Sequence, residues 1–281
     1  MKQLLEKMER DLELKGLSKK TQKIYIHWVG KFLSHCTNAL ERKGNEHIKE
    51  YLHFIIHERK LSSSSVNQVY SALQFFYTHT LEKEWEFKSI PRMKKNKTLP
   101  IVLERNEIDA ILKVTRNIKH RALLCLIYSA GLRLSEASQL KISDIDSKRM
   151  QIRIERAKGG KDRYTILSNA ALELVREYWK IYRPVHWLFV GSDPRKPISG
   201  RTIQKVFENS KTKAGINKSV TVHSLRHSFA THLLENGVGL HHIQLLLGHS
   251  SPQTTTIYLH LKRSDLVKIE SPLDNHYRSL K

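Results

Sequence analysis

Three short segments in the second half of this 281-residue chain carry side chains suited to phosphate chemistry. They are residues 131–136 (GLRLSE), 223–226 (HSLR) and 247–249 (LGH), the last of which leads on to Tyr258. Each segment alone says little, because an arginine after a glycine is usually a surface residue and a lone tyrosine usually belongs to a core. Together they supply arginines, histidines and a tyrosine, a combination with a definite chemical use.

That use is the cleavage of a phosphodiester through a covalent intermediate. The reaction needs a nucleophile, cations around the nonbridging oxygens and an acid for the leaving 5′ oxygen. An arginine grips a phosphate through two hydrogen bonds and stays charged, so a pair of arginines can replace metal ions. A tyrosine, whose ordinary pKa is about 10, needs surrounding positive charge to act as the nucleophile. The ordered candidates are Arg133, Lys158, His223, Arg226, His249 and Tyr258.

The overall charge points to the same class of substrate. The formal net charge is +22 and the pI is about 10.0, while 40% hydrophobic and 27% charged residues are typical of a soluble globular protein. So positive a chain attracts polyanions, of which nucleic acid is the commonest in a cell. A membrane-surface protein is the weaker alternative, because the lysines and arginines are spread through ordinary amphipathic segments.

The cysteines and the apolar segments indicate the compartment. The chain has two cysteines, Cys36 and Cys125, and both lie in apolar helical stretches, which favours core positions and a reducing environment. The N-terminus lacks the apolar run of a signal peptide, and no stretch approaches the roughly 18 apolar residues of a membrane span. We therefore expect a cytoplasmic protein associated with the nucleoid, with no membrane and no small-molecule substrate.

Residues 1–85 have the pattern of a small bundle of about four helices. Ser18 is a plausible N-cap, and Tyr25, Trp28, Val29, Phe32 and Leu33 then fall on one helical face. The serine run 62–65 offers a second cap. No catalytic-looking cluster accompanies these helices, so this domain is predicted to bind rather than to react.

Residues 86–98 form a basic segment bounded by prolines, without periodicity. Its lysines Lys94, Lys95 and Lys97 could lie along a phosphate backbone, or the segment could be a solvated connector. The sequence favours neither reading. We interpret the segment as a linker between two domains.

Residues 99–263 mix helices with a small antiparallel sheet. Met150, Ile152 and Ile154 alternate with polar residues, which indicates a half-buried strand, and a turn at 158–161 joins it to a second strand at 163–167. Helices are predicted at 104–114, 119–129, 169–182, 202–214, 224–236 and 240–247, from Ser135 onwards, and around Tyr258. The fold class is therefore mostly α, with a helical N-terminal domain and a mixed α+β C-terminal domain.

The second domain resembles the tyrosine recombinases, also called phage-type integrases, with the closest likeness to Xer-type recombinases and integron integrases. Residues 222–258 (VHSLRHSFATHLLENGVGLHHIQLLLGHSSPQTTTIY) carry the second arginine box, the LGH element and the nucleophile in the order and spacing of the family. The first box AGLRLSE and the hairpin AKGGKDRY also match. The likeness is strong over 99–270, and the N-terminal helices look like the core-binding domain of the family.

The resemblance implies a role for each matching residue. Arg133 and Arg226 would clamp the scissile phosphate, and Tyr258 would form the 3′-phosphotyrosyl bond. His223 would act as acid or base, and His249 would hydrogen-bond the phosphate. Glu136 would support the site. Lys158 would protonate the 5′ oxygen; Lys161, in the same hairpin, remains an alternative.

The resemblance also implies an assembly. Recombination joins two duplexes, so four protomers should meet on double-stranded DNA, and the tail 264–281 should pack on a neighbouring protomer. In that tail Leu266, Val267, Ile269 and Leu273 form an apolar set, which a frayed terminus would leave exposed.

Three other interpretations remain open. A type IB topoisomerase shares this chemistry but acts alone, and a DNA-binding regulator could keep the fold without catalysis. His223 and His227 share a helical face and suggest a zinc site, but neither a third ligand at suitable spacing nor a CxxC or HExxH motif accompanies them. We therefore expect neither a metal nor another cofactor.

Overall fold

A computed structural model of the chain describes residues 1–36, 46–85, 92–94, 99–155, 162–249 and 253–258. The chain divides into two compact units, Met1–Lys97 and Thr98–Lys281. Helices dominate both units, and the described sheet has three antiparallel strands in the order β1-β2-β3. The predicted fold class is confirmed. Among the described residues, no helix combines the length and the apolar character needed to cross a bilayer.

Two helices of the N-terminal unit begin at serine caps. The Ser18 hydroxyl accepts a hydrogen bond from the Thr21 amide at 3.2 Å, and the Ser62 hydroxyl accepts one from the Ser65 amide at 3.3 Å. Both caps were predicted and are confirmed. The helices are α1 (Lys2–Leu14), α2 (Lys19–His35), α3 (Glu46–His57) and α4 (Ser63–Phe75), followed by a π-helical turn (Phe76–Thr80).

A continuous apolar core joins these helices. Val29, Phe32 and Leu33 of α2 are buried as predicted, whereas Tyr25 and Trp28 are half-buried at the edge of the same core. From α3 and α4, Tyr51 and Leu73 pack against them. This arrangement gives the N-terminal unit a hydrophobic centre of its own.

The C-terminal unit contains the remaining elements. They are α5 (Arg105–Val114), α6 (Ile118–Ser129), α7 (Leu134–Ser138), a 3-10 turn (Ile142–Asp144), β1 (Ile145–Asp146), β2 (Gln151–Ile154), β3 (Arg163–Ile166), α8 (Asn169–Tyr182), α9 (Gly200–Lys213), α10 (Val222–Glu235), α11 (Leu240–Leu247) and α12 (Gln253–Thr256). The predicted bounds of α8 and α11 agree with the structure. The prediction that a helix contains Tyr258 is wrong, because α12 ends at Thr256 and Tyr258 lies in the turn that follows.

The sheet confirms the predicted strand alternation. Ile152 and Ile154 of β2 are buried, while Gln151 and Arg153 face solvent. In the antiparallel register Ile154 lies opposite Arg163, so Arg163 occupies the buried side of β3. Met150 does not belong to the strand; it precedes β2 with a φ of 53°.

The main core of the unit packs α6 against α8 and the sheet, and Cys125 of α6 lies within it as predicted. A smaller cluster joins α10, α11 and the segment after α12. Its buried members include Phe229, Leu247 and Tyr258. Tyr258 is therefore held by apolar packing against α10, which carries His223 and Arg226, and against α11, which ends two residues before His249.

Candidate active site

Arg133 is positioned by a tight turn between α6 and α7. Gly131 has a φ of +61°, and a Cβ there would lie 2.4 Å from Cδ1 of Phe229, so only glycine fits. Arg133 then caps α7. Its backbone N–H donates to Oε2 of Glu136 at 2.8 Å, and its Nη1 donates to Oε1 at 2.7 Å. The GLRLSE motif thus folds into one turn that orients both Arg133 and Glu136.

Arg226 of α10 extends to the turn that holds Arg133 and Glu136, and its side chain is only 2% exposed. Its Nη1 donates to the Gly131 carbonyl at 2.5 Å, and its Nη2 donates to the Leu247 carbonyl at 2.6 Å. Nη2 of Arg133 donates to the Gly248 carbonyl at 2.9 Å. The carbonyls that follow α6 and end α11 therefore fix both guanidinium groups, where the helix C-termini favour positive charge.

Arg163 is a site residue that the sequence analysis missed. From β3, its Nη1 and Nη2 each donate to one carboxylate oxygen of Glu136 at 2.7 Å, and its Nε donates to the Leu246 carbonyl at 2.9 Å. The signal was present in the sequence, since the strand alternation puts Arg163 on the same buried face as Thr165 and Leu167. A charged residue on a buried strand face needs a partner, and Glu136 is that partner.

Glu136 balances this cluster of cations. Burial alone would raise the pKa of Glu136, but hydrogen bonds from Arg163 and Arg133 and the charge of Arg163 lower it to about 2. Burial and the neighbouring charge of Arg133 lower the pKa of Arg226 to about 9, which still leaves it charged at neutral pH. Three guanidinium groups thus face a single carboxylate, and the site has the excess positive charge that an entering phosphate would neutralise.

Tyr258 lies against this cluster in a buried position, 1% exposed. Burial raises the pKa of Tyr258, and the charges of Arg226 and Arg133 oppose that rise. Its hydroxyl oxygen is 3.0 Å from Nδ1 of His227, and its ring stacks on that of His249 with the centroids 6.4 Å apart. In this state the phenol is protonated and shielded from solvent.

His249 and His223 flank the tyrosine and the arginines. His249 is half-buried, and its Nδ1 is 2.9 Å from Oγ1 of Thr255. Burial and the charges of Arg226 and Arg133 lower the pKa of His249 to about 3, so its ring is neutral. His223 is exposed at the start of α10, and desolvation and the same two arginines lower its pKa. Both rings are therefore neutral hydrogen-bonding groups beside the arginine cluster.

Ion pairs join Arg133 and Arg226 to Glu136, the rings of His249 and Tyr258 stack, and the charges of both arginines act on His249 and Tyr258. His223 joins them through His227, with ring centroids 5.0 Å apart. Lys158, Lys161, Lys95 and Lys97 lie outside the described residues, as do residues 264–281. Lys94 is exposed in the N-terminal unit. Within the described part of the chain, no group of three or more His, Cys, Asp or Glu side chains could hold a metal ion.

Comparison with known proteins gives this geometry a context. The profile of the phage integrase family matches residues 102–264, and the profile of the phage integrase N-terminal SAM-like domain matches residues 4–87. A putative integrase/recombinase of Sinorhizobium fredii is 40% identical over 98% of this chain and 89% of its own length. The tyrosine recombinase XerA of Pyrococcus horikoshii is 35% identical over 91% of this chain and 88% of its own length.

A solved structure shares the fold. The structure of a lambda integrase tetramer bound to a Holliday junction has a TM-score of 0.75, covering 91% of this chain and 76% of that chain. The two sequences are 21% identical, so this likeness concerns the architecture.

Proposed function

The chain belongs to the phage integrase family, and from that premise we propose that Tyr258 is its nucleophile and that Arg133 and Arg226 bind the scissile phosphate. The protein is a tyrosine recombinase, an enzyme that cleaves and rejoins DNA strands at specific sites. The observation that carries the residue-level proposal is that two carbonyl-anchored arginines lie close enough to the buried Tyr258 for their charges to act on its hydroxyl.

The proposed step follows from the arrangement of charges. The phenol oxygen of Tyr258 attacks the phosphorus and gives its proton to a base, the role open to His223, while the bond from phosphorus to the 5′ oxygen breaks. The products are a 3′-phosphotyrosyl link and a 5′ hydroxyl, which receives its proton from a general acid. Arg133 and Arg226 stabilise the negative charge that builds up on the nonbridging oxygens.

The remaining roles are assigned by the same reasoning. His223 is proposed as an acid or base and His249 as a donor to the phosphate, because both lie beside the arginine cluster. Lys158 or Lys161 is proposed as the general acid. Because guanidinium groups carry the charge that metal ions supply in two-metal nucleases, the step should need no divalent cation.

The domains and the assembly are proposed as follows. Residues 1–85 bind DNA, residues 86–98 link the two domains, residues 99–263 catalyse, and the tail 264–281 docks on a neighbour. Strand exchange then takes place in a homotetramer on two duplexes, as the tetrameric assembly of lambda integrase on a junction suggests. The charge of +22 fits such an interface, and we place the enzyme in the cytoplasm at the nucleoid.

The two alternatives are not favoured. A type IB topoisomerase is not what the family profiles and the recombinase relatives indicate. A regulator without catalysis would have no use for a tyrosine held beside paired arginines.

The experiment is a covalent-capture assay. A duplex is first selected by binding from a random pool and then nicked near its centre, so that cleavage releases a short fragment and traps the adduct. Wild-type protein should give a covalent band on a denaturing gel, and Tyr258→Phe should bind equally well without giving one. Tyr182→Phe makes the same chemical change at an exposed position of α8 and should behave as wild type. An adduct in Tyr258→Phe would refute the assignment.

A further inference from the structure

His227 has no role in the steps described so far, yet it touches the proposed nucleophile. It follows Arg226 on α10, is half-buried, and places its Nδ1 3.0 Å from the hydroxyl oxygen of Tyr258. The two ring centroids are 5.8 Å apart. His227 also contacts the ring of His223 edge-on. It is therefore the link between the exposed histidine and the buried tyrosine.

The direction of this hydrogen bond can be assigned. Burial and the neighbouring His223 and Arg226 lower the pKa of His227 to about 4, so its ring is neutral at neutral pH. The pKa of Tyr258 is raised, so its phenol keeps the proton. The hydroxyl of Tyr258 consequently donates, and Nδ1 of His227 accepts.

Tyr258 has few other polar constraints. The four-residue helix α12 ends two residues before Tyr258. The backbone N–H of Tyr258 donates to the Thr255 carbonyl at 3.0 Å. Among the described residues, His227 is the side chain that meets its hydroxyl. A hydrogen bond to the hydroxyl restrains the position of the oxygen directly, and a misplacement of about 1 Å can lower a rate on the order of 100-fold.

We propose that His227 is a positioning residue, whose Nδ1 holds the hydroxyl of Tyr258 in the orientation from which it reaches the phosphate bound by Arg133 and Arg226. The proposal rests on the proposed function, because it takes Tyr258 as the nucleophile. It assigns His227 to the reaction rather than to a metal site. It differs from a packing role, which any side chain of the same size would fill.

The test uses two variants of nearly equal shape. Asn places its Oδ1 close to the position of the histidine Nδ1 and keeps an acceptor there, whereas Leu has the same branching without an acceptor. Full-length wild type, His227→Asn and His227→Leu are compared in single-turnover adduct formation on the nicked duplex. DNA affinity and thermal unfolding of each variant are measured alongside. His227→Met provides a second apolar variant should His227→Leu fold poorly.

We expect His227→Asn to react within about threefold of wild type and the apolar variants to lose on the order of 10- to 100-fold in rate, at equal DNA affinity. Equal rates for Asn and Leu, whether both fast or both slow, would overturn the proposal. Tyr258→Phe in the same assay separates the two hypotheses: an adduct there defeats the proposed function, whereas its absence leaves the comparison of Asn with Leu to decide the role of His227.

A second measurement needs no DNA. With ¹³C at the ζ carbon of tyrosine, the resonance of Tyr258 is identified by its loss in Tyr258→Phe. It should shift clearly in His227→Leu, which lacks the acceptor, and much less in His227→Asn. An unchanged resonance in His227→Leu would contradict the hydrogen bond itself.

Discussion

Replacement of Glu136 by glutamine tests whether its carboxylate holds the arginine cluster together. The pKa of Glu136 is lowered from 4.5 to about 2, and the side chain is only 7% exposed, so solvent screens these interactions weakly. Each unit by which the pKa is lowered corresponds to about 1.4 kcal/mol. The ionised carboxylate therefore stabilises the folded state by about 3 kcal/mol. Glutamine keeps part of the hydrogen bonding, so about 2–3 kcal/mol is the expected loss for Glu136→Gln at pH 7.

The same reasoning gives a pH dependence. Because the folded pKa lies below the unfolded one, the stabilisation by Glu136 is complete above about pH 4.5 and is lost as the pH falls towards 2. The difference in unfolding free energy between wild type and Glu136→Gln should therefore be constant near neutrality. It should shrink under acid conditions.

The free energy of unfolding is measured by urea denaturation. Hydrogen exchange of the backbone amides in α6 and α10 reports the stability of the C-terminal unit separately. Glu208→Gln is the control, because Glu208 pairs with Lys211 at 2.7 Å on an exposed face of α9. It should change stability much less than Glu136→Gln does. A loss below about 1 kcal/mol at pH 7 for Glu136→Gln, or one as small as that of the control, would refute the balancing role of the carboxylate.

Four further outcomes are expected. Arg226→Lys should retain DNA binding but lower the cleavage rate on the order of 10²- to 10³-fold in single-turnover assays, because an ammonium cannot reproduce the bidentate fork; near-normal cleavage would exclude the clamp. Adduct formation should continue in excess chelator, and strict dependence on added magnesium would indicate a different mechanism. Binding titrations should show log K falling by about 0.9 per phosphate contact for each log unit of salt, whereas a flat response would argue against phosphate contacts. Truncation after Arg263 should leave single-site binding intact but reduce synapsis in gel-shift assays, and full recombination without the tail would contradict its docking role.

The sequence was sufficient for the residues whose spacing along the chain reflects local structure. Arg133 and Glu136 lie three residues apart, so one helical turn brings them together. The hydrophobic periodicity likewise predicted the bounds of α8 and α11. Short-range geometry determines both results, and short-range geometry is what a pattern of residue types encodes.

The contacts across the fold could not be read in this way. Arg163 meets Glu136 only because β3 packs beside α7 and α11, and nothing in a strand pattern specifies the partner of a buried charge. His227 was considered as a metal ligand because of its spacing from His223, but its contact is Tyr258, 31 residues further along the chain. The helix expected around Tyr258 ends at Thr256. A motif can therefore identify a candidate nucleophile, whereas the backbone conformation around that residue depends on packing.

The backbone anchoring of the two arginines has a stereochemical consequence. A guanidinium has five N–H donors; in the described residues, Arg226 uses two for the carbonyls of Gly131 and Leu247, and Arg133 uses two for Glu136 and Gly248. Three N–H donors therefore remain on each guanidinium. Their directions differ, because the carbonyls of Gly131 and Leu247 orient Arg226, whereas Glu136 and the carbonyl of Gly248 orient Arg133. The two nonbridging oxygens of a bound phosphate would therefore meet unlike surroundings, so the enzyme should distinguish the two mirror-related faces at phosphorus. Substrates that carry a methyl group in place of one or the other oxygen should react at unequal rates.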